Sequence, residues 1–140
     1  MKASRIAYEI AGWLFIIGVL VQVFFAGMAV VAGRWGWDNH INLGHFLAVP
    51  LLAMLVTAYV GKLPGRMKRL TWLLFGVYVL QGDVLIFLRA SAPVLSAFHP
   101  VMALIDFALG LTLARQARAI IRADKTAAVP QPQPEGIPGD

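Results

Sequence analysis

The sequence predicts an all-α integral membrane protein, a four-helix up-down bundle with both termini in the cytoplasm. Of its 140 residues, 59% are hydrophobic and 14% are charged, whereas a soluble domain is roughly 45–50% apolar and about 25% charged. Four apolar runs are each long enough to cross a bilayer, which takes about 20 residues as a helix. This composition excludes an ordinary soluble enzyme and a soluble nucleic-acid-binding domain, so no nucleic-acid partner is expected.

The four runs define the predicted transmembrane domain, 1–122. The first covers about 6–31, and its one charged residue, Glu9, is expected to pair with Arg5 at a spacing of four residues. The second, about 41–60, contains no charged residue. The third, about 70–88, contains Asp83, and the fourth, about 97–114, contains Asp106. The connections are short and contain glycine or proline, so consecutive helices should be antiparallel neighbours.

The basic residues predict the orientation, because cytoplasmic loops carry an excess of lysine and arginine. Ten of the twelve precede span one, lie between spans two and three, or follow span four, and Arg34 and Arg89 are the exceptions. Residues 123–140 are predicted to form a disordered, proline-rich cytoplasmic tail. We expect a bacterial inner-membrane protein surrounded by lipid, with a second copy or other membrane subunits as further partners.

Polar residues within the predicted spans lie mostly in the outer half of the bilayer. Such residues are costly in a membrane and mark functional sites by default. This half holds both membrane glutamines, one aspartate and all three histidines: Gln22, Gln81, Asp83, His40, His45 and His99. His40 and His45 differ by about 140° around a helix, so at most one points squarely into the bundle. His45 lies a turn deeper and is the expected buried one.

The sharpest functional hypothesis is one b-type haem between spans two and four, near the outer face. Haem iron takes histidine axial ligands, and four-helix bundles build cofactor sites from facing helices. The expected ligands are His99 and His45, with His40 as a substitute for His45. Arg34 and Arg89 could bind the propionates. The chain has no cysteine, which excludes thiolate ligands and a cysteine nucleophile.

Other hypotheses stay open at this point. The three histidines, His40, His45 and His99, together with acidic neighbours could hold a divalent metal, although no compact ligand spacing occurs. The intramembrane carboxylates Asp83 and Asp106 could serve an ion or proton path, or simply form interhelical hydrogen bonds. The alternative function is therefore a non-catalytic membrane subunit or small transporter-like protein with structural polar residues. No catalytic residue is predicted.

Four short segments carry a family resemblance. They are VQVFFAG at 21–27, HINLG at 40–44, LQ at 80–81 and FHPVMAL at 98–104. Together they resemble small bacterial four-span membrane proteins known as domain of unknown function 6220, over about 19–114. The resemblance implies a four-helix membrane fold without an established activity. It draws attention to Gln22, His40, Gln81 and His99, and it favours His40 over His45 as the partner of His99.

Overall fold

A computed structural model of the chain describes residues 1–127, which contain helices and no strand. Within this range, four helices are long and apolar enough to cross a membrane. We call them spans one to four: Lys2–Ala32, Arg34–Val60, Gly65–Phe87 and Pro93–Ala127. The prediction of an all-helical fold with four helices long and apolar enough to span a membrane is confirmed.

Span one is a single uninterrupted helix, whereas the other three contain local breaks. The elements in chain order are α1 Lys2–Ala32, α2 Arg34–Phe46, α3 Ala48–Val60, α4 Gly65–Val79, a π-helix Leu80–Val84, α5 Leu85–Phe87, α6 Pro93–Ser96 and α7 His99–Ala127. A turn at Leu47 separates the two parts of span two, and a turn at 97–98 separates the two parts of span four. All the breaks lie in the half of the bundle away from the chain's N-terminus.

The four spans form a ring. Each span packs against the next one along the chain, and span four packs against span one. Span one contacts spans two and four, and span three also contacts spans two and four. Spans two and four are therefore diagonally opposite, as are spans one and three. Side chains from diagonal partners can meet only at the bundle axis.

The tightly packed core occupies the half of the bundle that holds the N-terminus. Its largest fully buried side chains come from all four spans: Tyr8, Phe15, Leu51, Met54, Leu74, Leu113, Thr71 and Asp106. The Tyr8 and Thr71 hydroxyls lie 2.6 Å apart, and Thr71 donates to the Met67 carbonyl at 2.8 Å. Tyr8 is thus the donor of the pair, and this buried polar contact is satisfied.

The hairpin between spans one and two is tighter than the sequence predicts. Gly33 alone joins the two helices, with a positive φ of 64° that favours glycine. Span two consequently begins at Arg34, before the predicted start near residue 41. The reason is that residues 34–40 form a polar helical turn outside the apolar run.

The fourth helix extends past the predicted span and packs against the start of span one. Glu9 binds Arg118 at 2.5 Å, and Arg5 binds Asp124 at 2.6 Å. The expected pairing of Glu9 with Arg5 is therefore wrong, because each finds an opposite charge on α7 instead. Helix α7 continues to Ala127. The remainder of the predicted tail, 128–140, lies outside the described residues.

Candidate functional site

Each span contributes one polar residue to a layer in the half of the bundle opposite the tight core. Gln22, His40, Gln81 and His99 come from spans one to four in turn, and we call them the Gln–His layer. The imidazole rings of His40 and His99 meet across the diagonal, with their centroids 6.0 Å apart. Both rings are half-buried.

A backbone carbonyl of the neighbouring span holds each of these rings. The His40 Nδ1 lies 3.1 Å from the Gln22 carbonyl, and the His99 Nδ1 lies 2.9 Å from the Gln81 carbonyl. Because a carbonyl oxygen can only accept, each Nδ1 carries the proton and donates. In the neutral form of each ring, Nε2 then has a free lone pair. A second hydrogen bond of this kind is the usual way in which proteins orient a metal-binding histidine.

A π-helix provides the carbonyl that holds His99. The Leu85 N–H donates to the Leu80 carbonyl, five residues earlier, instead of to the Gln81 carbonyl four residues earlier. This shift frees the Gln81 carbonyl from its usual helical partner, and His99 takes it. Short π-helical turns of this kind occur frequently at functional sites.

The two helical hairpins repeat the same contact. In each, the glutamine carbonyl and the histidine that donates to it are separated by 18 residues. The repeated spacing, Gln22 to His40 and Gln81 to His99, is visible in the sequence and is the signal that could have selected His40 over His45 without a structure.

A cavity of about 1210 Å³ surrounds the Gln–His layer. It exceeds the range of about 300–1,000 Å³ common for small-molecule sites. Its walls are mainly apolar and include small residues such as Gly44, Gly82 and Ala103, and Arg89 and Trp37 also line it. The Tyr78 hydroxyl, on another wall, donates to the Gly44 carbonyl at 2.7 Å. The cavity is thus large, apolar and bordered by one cationic side chain.

Next to this cavity lies a fully buried carboxyl group, that of Asp106, with 0% exposure. The Gln81 side-chain amide donates to its Oδ2 at 2.7 Å. Its Oδ1 has no partner, and neither have the Oε1 atoms of Gln22 and Gln81. Gln81 therefore contacts Asp106 through its side chain and His99 through its carbonyl.

The remaining residues of the sequence hypothesis lie away from the His40–His99 pair. His45 lines the cavity but is exposed, so the expectation that it would be the more buried histidine is wrong. The cause is the rotation of about 140° between the two positions, which turns His40 and not His45 toward the axis. Asp83 also lines the cavity and is exposed.

Two further expectations concern charge and metal binding. Arg34 lies 3.7 Å from Asp38, with a side chain that is 93% exposed, and does not line the cavity. Within residues 1–127, no three or more histidine, aspartate or glutamate side chains are grouped so that they could hold a metal ion. His40, His45 and His99 therefore do not form the three-histidine divalent metal site considered from the sequence.

Comparison with known proteins finds a similarity to one family over part of the chain. No curated protein and no solved structure shows a significant match to the chain. The family model described as a family of unknown function, DUF6220, matches residues 22–87. This range begins at Gln22, includes His40 and Gln81, and stops before span four and His99. Residues 22–87 of this chain are therefore similar to the family of unknown function DUF6220.

Proposed function

We propose that this protein binds one b-type haem in the cavity, with His40 and His99 as the axial ligands of the iron. The observation that carries the proposal is the pairing of these two rings across the bundle axis, with centroids 6.0 Å apart. Two imidazoles on opposite sides of one metal have centroids about 6 Å apart, since each metal–nitrogen bond is about 2 Å and each nitrogen lies about 1 Å from its centroid.

The chemistry of the ligands and of the cavity also supports haem. Both Nδ1 atoms are occupied by backbone carbonyls, which leaves both Nε2 lone pairs for a metal. The walls are largely apolar, as a porphyrin requires, and Arg89 is a cation that can bind a propionate. When bound, the haem would supply one-electron chemistry, while the protein would supply the two ligands and exclude water.

The proposed orientation puts this cavity in the outer half of the membrane. Ten of the twelve lysines and arginines lie at the opposite end of the bundle, which we infer to be cytoplasmic. The protein would then be a one-haem membrane protein of the bacterial inner membrane. Because the one haem would lie in the outer half of the membrane, the protein would exchange electrons at the outer face. It would have no second haem to carry electrons across the bilayer.

The test is an absorption spectrum of the detergent-purified protein from cells supplied with haem, in the oxidised and reduced states. We expect a Soret band that shifts on reduction and a low-spin spectrum typical of two histidine ligands. His40→Ala and His99→Ala should each lose the low-spin spectrum and most of the haem. His45→Ala is the matched control and should keep both, because His45 is exposed and outside the pair.

A folded protein that stays colourless would contradict the proposal. So would a His40→Ala, His99→Ala double variant that keeps the wild-type spectrum. Either result would favour the alternative, a membrane subunit or small transporter-like protein whose polar residues hold the helices together. The hydrogen bond between Gln81 and Asp106 favours that alternative independently, because such bonds join helices in many membrane bundles.

A further inference from the structure

Asp106 is the one fully buried carboxyl group among the described residues, and the proposed haem site makes no use of it. The three ion pairs found in residues 1–127 involve Glu9, Asp38 and Asp124 instead. Gln81 donates to the Oδ2 of Asp106, whereas its Oδ1 is buried without any partner. An ionised carboxylate in this position would have one hydrogen bond and no counter-charge.

Among residues 1–127, no cation forms an ion pair with Asp106, and Arg89, which lines the adjoining cavity, forms no ion pair either. Span one has no ionisable residue between Glu9 and Arg34. Span three faces it with Tyr78, whose hydroxyl is bonded to the Gly44 carbonyl, and carries Asp83, which adds negative charge. The nearby ionisable side chains of spans two and four are the histidines His40, His45 and His99. His40 and His99 each donate through Nδ1 to a backbone carbonyl, and neither forms an ion pair with Asp106 among the described residues.

Burial without a counter-charge favours the neutral form of a carboxyl group, because an isolated ionised carboxylate is very costly to remove from water. The unpartnered Oδ1 is where the proton would reside. Asp106 lies seven residues beyond His99 on the same face of the helix, about 10 Å along its axis at a rise of about 1.5 Å per residue. Gln81 contacts both residues directly. Its side-chain amide donates to Asp106, and its backbone carbonyl accepts from His99.

We propose that Asp106 is a proton-binding site of this protein and that its proton is coupled through Gln81 to the group bound by His99. The coupling rests on the proposed haem site, whereas the proton on Asp106 does not. In a low-dielectric interior, the positive charge of a bound oxidised haem would favour the carboxylate form of Asp106. Reduction by a one-electron reductant would remove that charge, and Asp106 would then take up one proton from water to become the acid at Oδ1.

The first experiment needs no haem. Infrared spectroscopy of the lipid-reconstituted protein at neutral pH should show the carbonyl stretching band of a protonated carboxylic acid, shifted in heavy water. Asp106→Asn should lose this band. Asp83→Asn is the matched control, since it removes the neighbouring membrane carboxyl, which is exposed, and should keep the band. If Asp106→Asn does not fold, Asp106→Leu replaces it at similar volume.

The second experiment is a redox titration of the haem-loaded protein at several pH values, with soluble redox mediators as the electron donors. The midpoint potential should fall as the pH rises, with a slope approaching about 59 mV per pH unit, the one-electron value for a tenfold change. Asp106→Asn should give a nearly flat line over the same range, and Asp38→Asn, which removes an exposed carboxyl that does not line the cavity, should keep the wild-type slope.

The outcomes separate the two proposals. A missing acid band, or a band that Asp106→Asn retains, overturns the proton site even if haem binds. An unchanged slope in Asp106→Asn overturns the coupling. A protein that binds no haem overturns the haem proposal and the coupling together, while the infrared band still decides whether Asp106 holds a proton.

Discussion

Gln81 makes two interhelical hydrogen bonds, and they differ in what a substitution can remove. Its backbone carbonyl accepts from His99, a contact that no side-chain change at position 81 removes, whereas its side-chain amide donates to Asp106 at 2.7 Å. The side-chain bond can therefore be measured separately from the histidine contact. The strength of the bond between Gln81 and Asp106 shows how far polar residues in this half of the bundle stabilise the packing of the helices.

A double-mutant cycle on Gln81→Leu and Asp106→Leu measures that bond. Interhelical hydrogen bonds in membrane proteins contribute about 0.6 kcal/mol on average and at most about 1.7 kcal/mol, so we expect a coupling free energy of unfolding in this range. The measurement is reversible unfolding in mixed detergent. The control cycle pairs Gln22→Leu with Asp106→Leu and should show no coupling, because Asp106 receives its one side-chain hydrogen bond from Gln81. Equal coupling in both cycles would contradict this account.

At the residue scale, the sequence predicted which residue types matter but not which histidine faces inward. Gln22, His40, Gln81 and His99 were all identified, and they converge in one layer. Depth in the membrane favours His45 and the family resemblance favours His40, because the rotation of a helix about its axis cannot be read from the sequence.

Helix boundaries and helix type were the least predictable features at the scale of elements. The apolar runs located all four spans, but α7 extends to Ala127 because its polar continuation binds Arg5 and Glu9 of span one. The π-helix at Leu80–Val84 has no sequence signature, since it contains no proline and only one glycine. It occurs together with a tertiary contact, the hydrogen bond from the His99 ring to the freed Gln81 carbonyl, which the sequence does not reveal.

The hairpin between spans one and two yields a prediction about an element. At Gly36, an added Cβ would overlap the backbone of Met28 and Ala29, whereas at Gly27 it would meet no atom within 4 Å. Gly36→Ala should therefore destabilise the protein by about 1–3 kcal/mol, the usual cost of overpacking. Gly27→Ala should be neutral or slightly stabilising in a helix.

Thermal unfolding of both variants in detergent checks this expectation. Gly36→Ala should lower the midpoint and Gly27→Ala should not. If span two could move away from span one without cost, the two variants would unfold at the same temperature, and the close approach of the helices would not contribute to stability.

As a whole, the molecule divides into a packed half and a hollow half. Tyr8, Phe15, Met54 and Leu113 fill the bundle near the N-terminus, whereas the cavity of about 1210 Å³ and the Gln–His layer occupy the other half. The asymmetry of polar residues in the sequence anticipated this division. The cavity itself could not be predicted, because its size depends on how far four apolar helices separate, and hydropathy does not encode that distance.

The functional meaning of the hollow half depends on which side of the membrane it faces, and single cysteines can determine that side. The chain has no native cysteine, so each introduced thiol is unique. Ser91 and Trp37 are exposed at the hollow end, and Arg66 is exposed at the packed end. Because basic residues cluster at the packed end, Ser91→Cys and Trp37→Cys should react with a membrane-impermeant maleimide added to intact cells. Arg66→Cys should react only after the cells are permeabilised. The reverse pattern would put the haem ligands near the cytoplasm, where a cytoplasmic reductant and not an outer-face partner would have to exchange electrons with the site.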